Sequence, residues 1–126
     1  LSDSKGYIYD SAGIDSDKLN WVKELKNKRR GRIKEYATQF PDSEFHDGKR
    51  PWEIEVDIAF PCATQNELNG DEAQLLVDNG CICVVEGANM PSTPEAIEVF
   101  HKAKILFAPG KASNAPRIAI TGLPVP

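Results

Sequence analysis

Between residues 54 and 107 the chain alternates apolar strands with short helices, and this order leaves few folds open. Residues 54–60, Ile-Glu-Val-Asp-Ile-Ala-Phe, read as a strand closed by Pro61. Residues 71–79 read as a short helix ended by Gly80, and residues 81–85, Cys-Ile-Cys-Val-Val, as a strongly apolar strand. Ser92 with Glu95 offers a capping box for a second helix, with Pro94 early in it and Ile97, Val99 and Phe100 leading to His101 in the last turn. Ile105-Leu106-Phe107 makes a last strand. Strand, helix, strand, helix, strand with short connections is the signature of a parallel sheet with helices packed on it.

The N-terminal part is less regular. Residues 1–15, rich in Ser, Asp and Gly, read as a strand tail, a turn and a short extended run at Tyr7-Ile8-Tyr9. Ser16 is placed to cap a helix starting near Asp17, with Leu19, Val22 and Leu25 on one face and Trp21 beside them. After Gly31, the residues Ile33, Tyr36, Ala37 and Phe40 keep the spacing of a buried helical stripe that ends at Pro41. Residues 44–46 read as a short strand and Trp52 as a hydrophobic plug.

The chain has 126 residues, 40% hydrophobic and 27% charged, the composition of about one globular domain. It contains no run of the ~20 apolar residues that a membrane span needs, and its first residues lack a secretory signal pattern, so a soluble cytosolic protein is expected. Cys62, Cys81 and Cys83 suit reduced, buried thiols better than a disulfide framework. Cys81 and Cys83 alternate on a strand and there is no Cys-x-x-Cys, so no metal site is expected. His46 and His101 lie far apart, and no nucleophile or general base stands out.

Seven of the 15 basic residues fall between Lys23 and Lys34 (Lys23, Lys26, Lys28, Arg29, Arg30, Arg32 and Lys34), with Glu24 the only acid among them. Three readings are open: a solvated helix face, a nucleic-acid surface, or a phosphate grip beside the strand ending at Ser2-Asp3-Ser4. The net charge of -4 and the lack of aromatic residues within the run weigh against nucleic acid. Two later strand ends, Pro61-Cys62-Ala63-Thr64 and Glu86-Gly87-Ala88-Asn89, lie where open α/β sheets bind ligands, and Asn89 offers both a donor and an acceptor.

These loops carry a resemblance. Residues 2–10 (SDSKGYIYD), 24–32 (ELKNKRRGR), 48–52 (GKRPW), 57–69 (DIAFPCATQNELN), 86–91 (EGANMP) and 107–115 (FAPGKASNA), in this order, resemble the coenzyme-binding domain of NADP-dependent glutamate dehydrogenases of the hexameric bacterial and fungal type. The resemblance implies an α/β, Rossmann-like fold, a mostly parallel sheet with flanking helices, incomplete because the first βα unit is absent from this chain. It makes residues 1–115 a partial dinucleotide-binding domain and residues 116–126 a divergent tail.

The implied activity is reversible oxidative deamination of L-glutamate to 2-oxoglutarate and ammonia with NADP, NAD being the lesser candidate, in a cytoplasmic homo-hexamer. By the same resemblance Ser2, Asp3 and Ser4 lie at the ribose, and Lys26 and Arg30 approach the 2′-phosphate. An acid at Asp3 favours a free ribose hydroxyl, so NADP preference rests on the basic helix outweighing it. Cys62, Ala63 and Thr64 would line the pyrophosphate and nicotinamide ribose, and Gly87, Ala88 and Asn89 the nicotinamide. Substrate contacts map to Ile118 and Thr121, where the chain departs from the family: Pro116-Arg117 replaces two glycines, Thr121 a serine, and Pro124-Val125-Pro126 a long helix. The family's catalytic lysine and aspartate have no counterpart here, so the chain alone is expected to be inactive. A stand-alone nucleotide-binding or interface module without catalysis is the alternative; neither nucleic acid nor membrane is an expected partner.

Overall fold

In a computed structural model residues 1–113 are described, and the chain divides into two compact units, Leu1–Pro51 and a second starting at Trp52. The first is built around a three-stranded antiparallel sheet, β1 (Ser2–Asp3), β2 (Gly6–Tyr9) and β3 (Glu44–Asp47), in the order β1-β2-β3. The β1/β2 hairpin pairs Ser2 with Tyr7 and Asp3 with Gly6. The Asp3 side chain accepts the Lys5 amide at 2.9 Å, which fixes the turn between them.

Helices α1 (Ser16–Asn27) and α2 (Glu35–Gln39) follow β2. Ile8, Val22, Ile33 and Tyr36 form the core of this unit, with Ile14, Trp21, Phe40 and Phe45 packed at its margin. Burying a side chain of this size removes enough apolar surface to contribute ~1.5–3 kcal/mol each. Asp10 ties the loop to both helices, accepting Lys18 Nζ at 2.8 Å and the Tyr36 hydroxyl at 2.5 Å. The cap of α1 is Asp15, whose carboxylate accepts the Lys18 amide at 2.9 Å, and not the expected Ser16. A full negative charge answers the helix N-terminus better than a hydroxyl does.

A 3-10 turn at Pro51–Glu53 buries Trp52 as expected. The second unit carries the parallel sheet, β4 (Ile58–Ala59), β5 (Cys83–Val85) and β6 (Leu106–Ala108), crossed over by α3 (Gly70–Asp78) and α4 (Pro94–Ala103). Ala59 and Val84 face a core shared with Ala73 and Leu76 of α3 and Ala96 and Phe100 of α4. Gly80, at a left-handed φ of +87°, turns the chain from α3 back to the sheet. On the other sheet face Ile58 and Leu106 lie in register with Cys83 and are 47% and 70% exposed.

Four expectations need correction here. The strands do not form one mostly parallel sheet: of the six among the described residues, three make a separate antiparallel sheet in the first unit. The seven-residue strand at 54–60 shrinks to Ile58–Ala59, since only these residues find a ladder partner, in β5. Thr93, not Ser92, caps α4 by accepting the Ala96 amide, because Ser92 bridges to Leu68 and gives its amide to Glu86. The capping box lies instead on α3, between Asn69 and Glu72. Finally, Cys81 is buried but Cys62 is exposed. The tail expected over 116–126, with Ile118 and Thr121, lies outside the described residues.

Candidate functional site

The turn after β1 gathers charge from three chain segments. Lys26 of α1 reaches Asp3 with its Nζ 2.6 Å from Oδ2, and the same oxygen accepts the Ile33 amide at 2.9 Å. Arg32, between the two helices, donates from Nη1 to Ser4 Oγ at 3.1 Å. Thus Asp3, Ser4 and Lys26 are brought together, while Ser2 is held in the hairpin opposite Tyr7. Arg30 is exposed with a left-handed φ of 56°, and the turn contacts come from Lys26 and Arg32. In the sequence Arg32 is one of seven residues of the basic run, with nothing in its type to mark it out. Its position next to the Gly31 break was the available signal, since a residue past the helix end can fold back towards the strand. Arg29 turns to the Trp21 ring at 5.0 Å.

Burial alone would push the Asp3 carboxyl up, but the Lys26 hydrogen bond, the amides of Ile33 and Lys5 and the Lys26 charge hold it at about 2. The folded carboxyl therefore titrates below its usual 3.8. Its stabilisation is complete above the unfolded value and is lost as pH falls towards 2. We expect the Trp21-reported unfolding of the wild type to lose ~1–2 kcal/mol over this window through this group. Asp3→Asn should lack that part of the acid limb in thermal melts at stepped pH. An identical acid limb in the variant would show that Asp3 does not carry it.

In the second unit, two strand ends meet. The Gly87 amide donates to the Pro61 carbonyl at 2.9 Å, the Asn66 amide to Met90 at 3.0 Å, and the Leu68 amide to Pro91 at 3.0 Å. These bonds bind the loop carrying Cys62, Ala63 and Thr64 to the one carrying Gly87, Ala88 and Asn89. Cys62, Ala63, Thr64 and Asn89 are exposed, whereas Gly87 and Ala88 are half-buried. The Ala63 amide donates to Glu67 Oε1 at 3.0 Å. Partial desolvation of the sulfur and then the Glu67 charge push the Cys62 thiol up, against the pull of the Gly87 amide.

A side chain at Gly87 would bring its Cβ within 3.0 Å of Cys62 Sγ and to 3.3 Å of Cys62 Cβ. Only glycine lets the two loops pack this closely at Gly87 and Cys62. Gly87→Ala should cost ~1–3 kcal/mol in Trp52-reported stability, and Cys62→Ala in the same chain should recover part of it. Additive losses in that double-mutant cycle would show that the two residues do not collide. Among the described residues no group of three or more His, Cys, Asp or Glu could hold a metal ion, and no helix is long and apolar enough to cross a membrane.

A parallel sheet crossed over by two helices places the chain in the α/β class. The chain belongs to the Glutamate/Leucine/Phenylalanine/Valine dehydrogenase family, whose model matches residues 1–125. It is 61% identical over 122 residues to a glutamate dehydrogenase of Bacteroides thetaiotaomicron, covering 97% of this chain and 27% of that protein. It is 54% identical over 122 residues to the NADP-specific glutamate dehydrogenase of Haemophilus influenzae, again covering 97% of this chain and 27% of the relative. A solved glutamate dehydrogenase of Plasmodium falciparum superposes with a TM-score of 0.92 at 46% identity, covering 97% of this chain and 26% of its own. The chain thus spans about a quarter of the length of these relatives. The coenzyme in the relatives' names varies: NADP, NAD(P) or NAD.

Proposed function

We propose that this chain supplies the coenzyme contacts of an NADP-dependent glutamate dehydrogenase, which interconverts L-glutamate with 2-oxoglutarate and ammonia. The bound nicotinamide supplies the hydride acceptor. The observation that carries the reading is the β1 turn, where Lys26 lies on Asp3 and Arg32 on Ser4. A 2′-phosphate brings nearly two negative charges, which Lys26 and Arg32 can answer with charge-assisted hydrogen bonds, and Arg30 lies close in sequence to join them. Asp3 already accepts from Lys26, Ile33 and Lys5, so its acceptor capacity is largely committed before a ribose hydroxyl arrives. That favours NADP over NAD.

In this reading Cys62, Ala63 and Thr64 approach the pyrophosphate and nicotinamide ribose, and Gly87, Ala88 and Asn89 the nicotinamide. The bond from the Gly87 amide to the Pro61 carbonyl, which joins these two loops, supports their sharing one ligand. Ile118 and Thr121 are assigned to the substrate. The catalytic lysine and aspartate belong to a substrate domain outside this chain, and the first βα unit of the Rossmann-like sheet lies outside it too. Exposed Ile58, Phe60 and Leu106 support that part of the reading, because parallel sheets ordinarily bury both faces. Assembly as a cytoplasmic homo-hexamer follows from the family alone.

The test is an absorbance assay for reduced coenzyme with glutamate and NADP. The full-length protein should turn over and the 126-residue chain should not. Turnover by the chain alone at ~1 per second or faster would show that the chemistry needs nothing outside it.

A further inference from the structure

Glu86 is a buried acid, 3% exposed, at the end of β5 and immediately before Gly87. Its two carboxylate oxygens are used separately: Oε1 accepts the Gly110 amide at 2.9 Å, and Oε2 accepts the Ser92 amide at 3.1 Å. Its main chain works in the same direction. The Glu86 amide donates to the Ala108 carbonyl at 3.0 Å, and the Ser113 hydroxyl donates to the Glu86 carbonyl. One residue therefore joins the loop after β5 to the far end of that loop at Ser92 and to the chain after β6 at Gly110. Ser92 in turn bridges to Leu68, which anchors the loop after β4.

We infer that Glu86 is a positioning residue for coenzyme, holding residues 87–89 in the conformation that meets the nicotinamide end. This inference rests on the coenzyme reading above. The physical argument is one of valence and span. Two N–H donors converge on two different oxygens, a pattern that a carboxylate anion satisfies and an amide cannot, since its NH2 group would face an N–H. The tie from Glu86 to Ser92 closes the loop that contains Gly87, Ala88 and Asn89, and the tie to Gly110 fixes Glu86 itself, so releasing either one frees that loop. A buried hydrophobic residue could fill the same space, but it could not hold two amides in fixed directions. Partners that orient metal ligands by hydrogen bonds are commonly worth ~10-fold or more in affinity, and Glu86 orients this loop by the same means.

Glu86→Gln keeps the size and removes one acceptor; Glu86→Asp keeps the charge and shortens the reach. Both are made in the full-length protein and titrated with NADP and with 2′,5′-ADP, which carries the 2′-phosphate but no nicotinamide. The expected result is a ~10-fold loss of NADP affinity in either variant, with 2′,5′-ADP affinity unchanged within ~2-fold. Amide hydrogen exchange should speed up at Ser92 and Gly110 in Glu86→Gln while the Val84 amide keeps its protection. NADP affinity unchanged in both variants overturns the inference, as do equal losses for the two ligands. Loss of folding in both variants makes Glu86 a folding residue and overturns it too. If the wild type binds neither ligand, it is the coenzyme reading that fails, and faster exchange at Ser92 and Gly110 still reports the tie separately.

Discussion

Lys26→Glu in the full-length protein is expected to weaken NADP by ~10–100-fold while changing NAD affinity by no more than ~3-fold. The wild-type lysine lies 2.6 Å from Asp3 and neutralises it. A phosphate arriving at the turn draws on the same ammonium group and gains a cation. With glutamate in its place the phosphate meets two carboxylates and Arg32, and repulsion replaces a charge-assisted bond. NAD lacks the phosphate and should be largely indifferent. The substitution also costs stability, because Asp3 loses its partner and gains a like charge, so affinities are to be compared below the melting transition. Lys26→Gln separates the two effects, since it removes the attraction without adding repulsion and should fall between wild type and Lys26→Glu. Equal losses for NADP and NAD would show that Lys26 does not read the 2′-phosphate.

Gly6→Ala is expected to be the most damaging small substitution in the first unit. A Cβ there would lie within 3.0 Å of the His46 main-chain oxygen, which β3 holds in the ladder opposite Tyr7. A backbone atom in a sheet cannot step aside as a side chain can, so the strands must separate. The cost should be ~3 kcal/mol, read as a drop of ~10 °C or more in the transition reported by Trp21. Gly6 also faces Asp3 in the hairpin, so the same change displaces the turn that carries Asp3 and Ser4. Melting within ~2 °C of wild type would mean that β2 and β3 tolerate a wider spacing than their register implies.

The alternation of strand and helix after Trp52 was legible because each element carries its own pattern: apolar runs for β5, a glycine stop for α3, an early proline for α4. What the pattern could not show was where the N-terminal strands pair. Tyr7, Ile8 and Tyr9 read as a short extended run, but their partner lies in residues 44–47, and nothing local announces an antiparallel ladder across that distance. Capping failed for a related reason. Ser16 and Ser92 looked like caps by type, yet a stronger acceptor next to one and a bridge through the other decided the outcome.

The candidate site divides in the same way. Ser4, Lys26 and the loops at 62–64 and 87–89 could be named from the residues and their resemblance to a family. Arg32 and Glu86 were hidden because their roles depend on contacts 28 and 24 residues away in the chain, to Ser4 and Gly110. A buried glutamate following a strand has no sequence signature that separates it from an exposed one.

The proposed function has these residues hold a 2′-phosphorylated dinucleotide. Its most direct test is the amide hydrogen-exchange footprint of saturating NADP on the full-length protein, compared with that of saturating NAD. Both should protect residues 87–89, and NADP alone should add protection at Ser4, Lys5 and Ile33 around the β1 turn. Footprints that coincide at the turn, or that leave residues 87–89 unprotected by either ligand, would contradict the account.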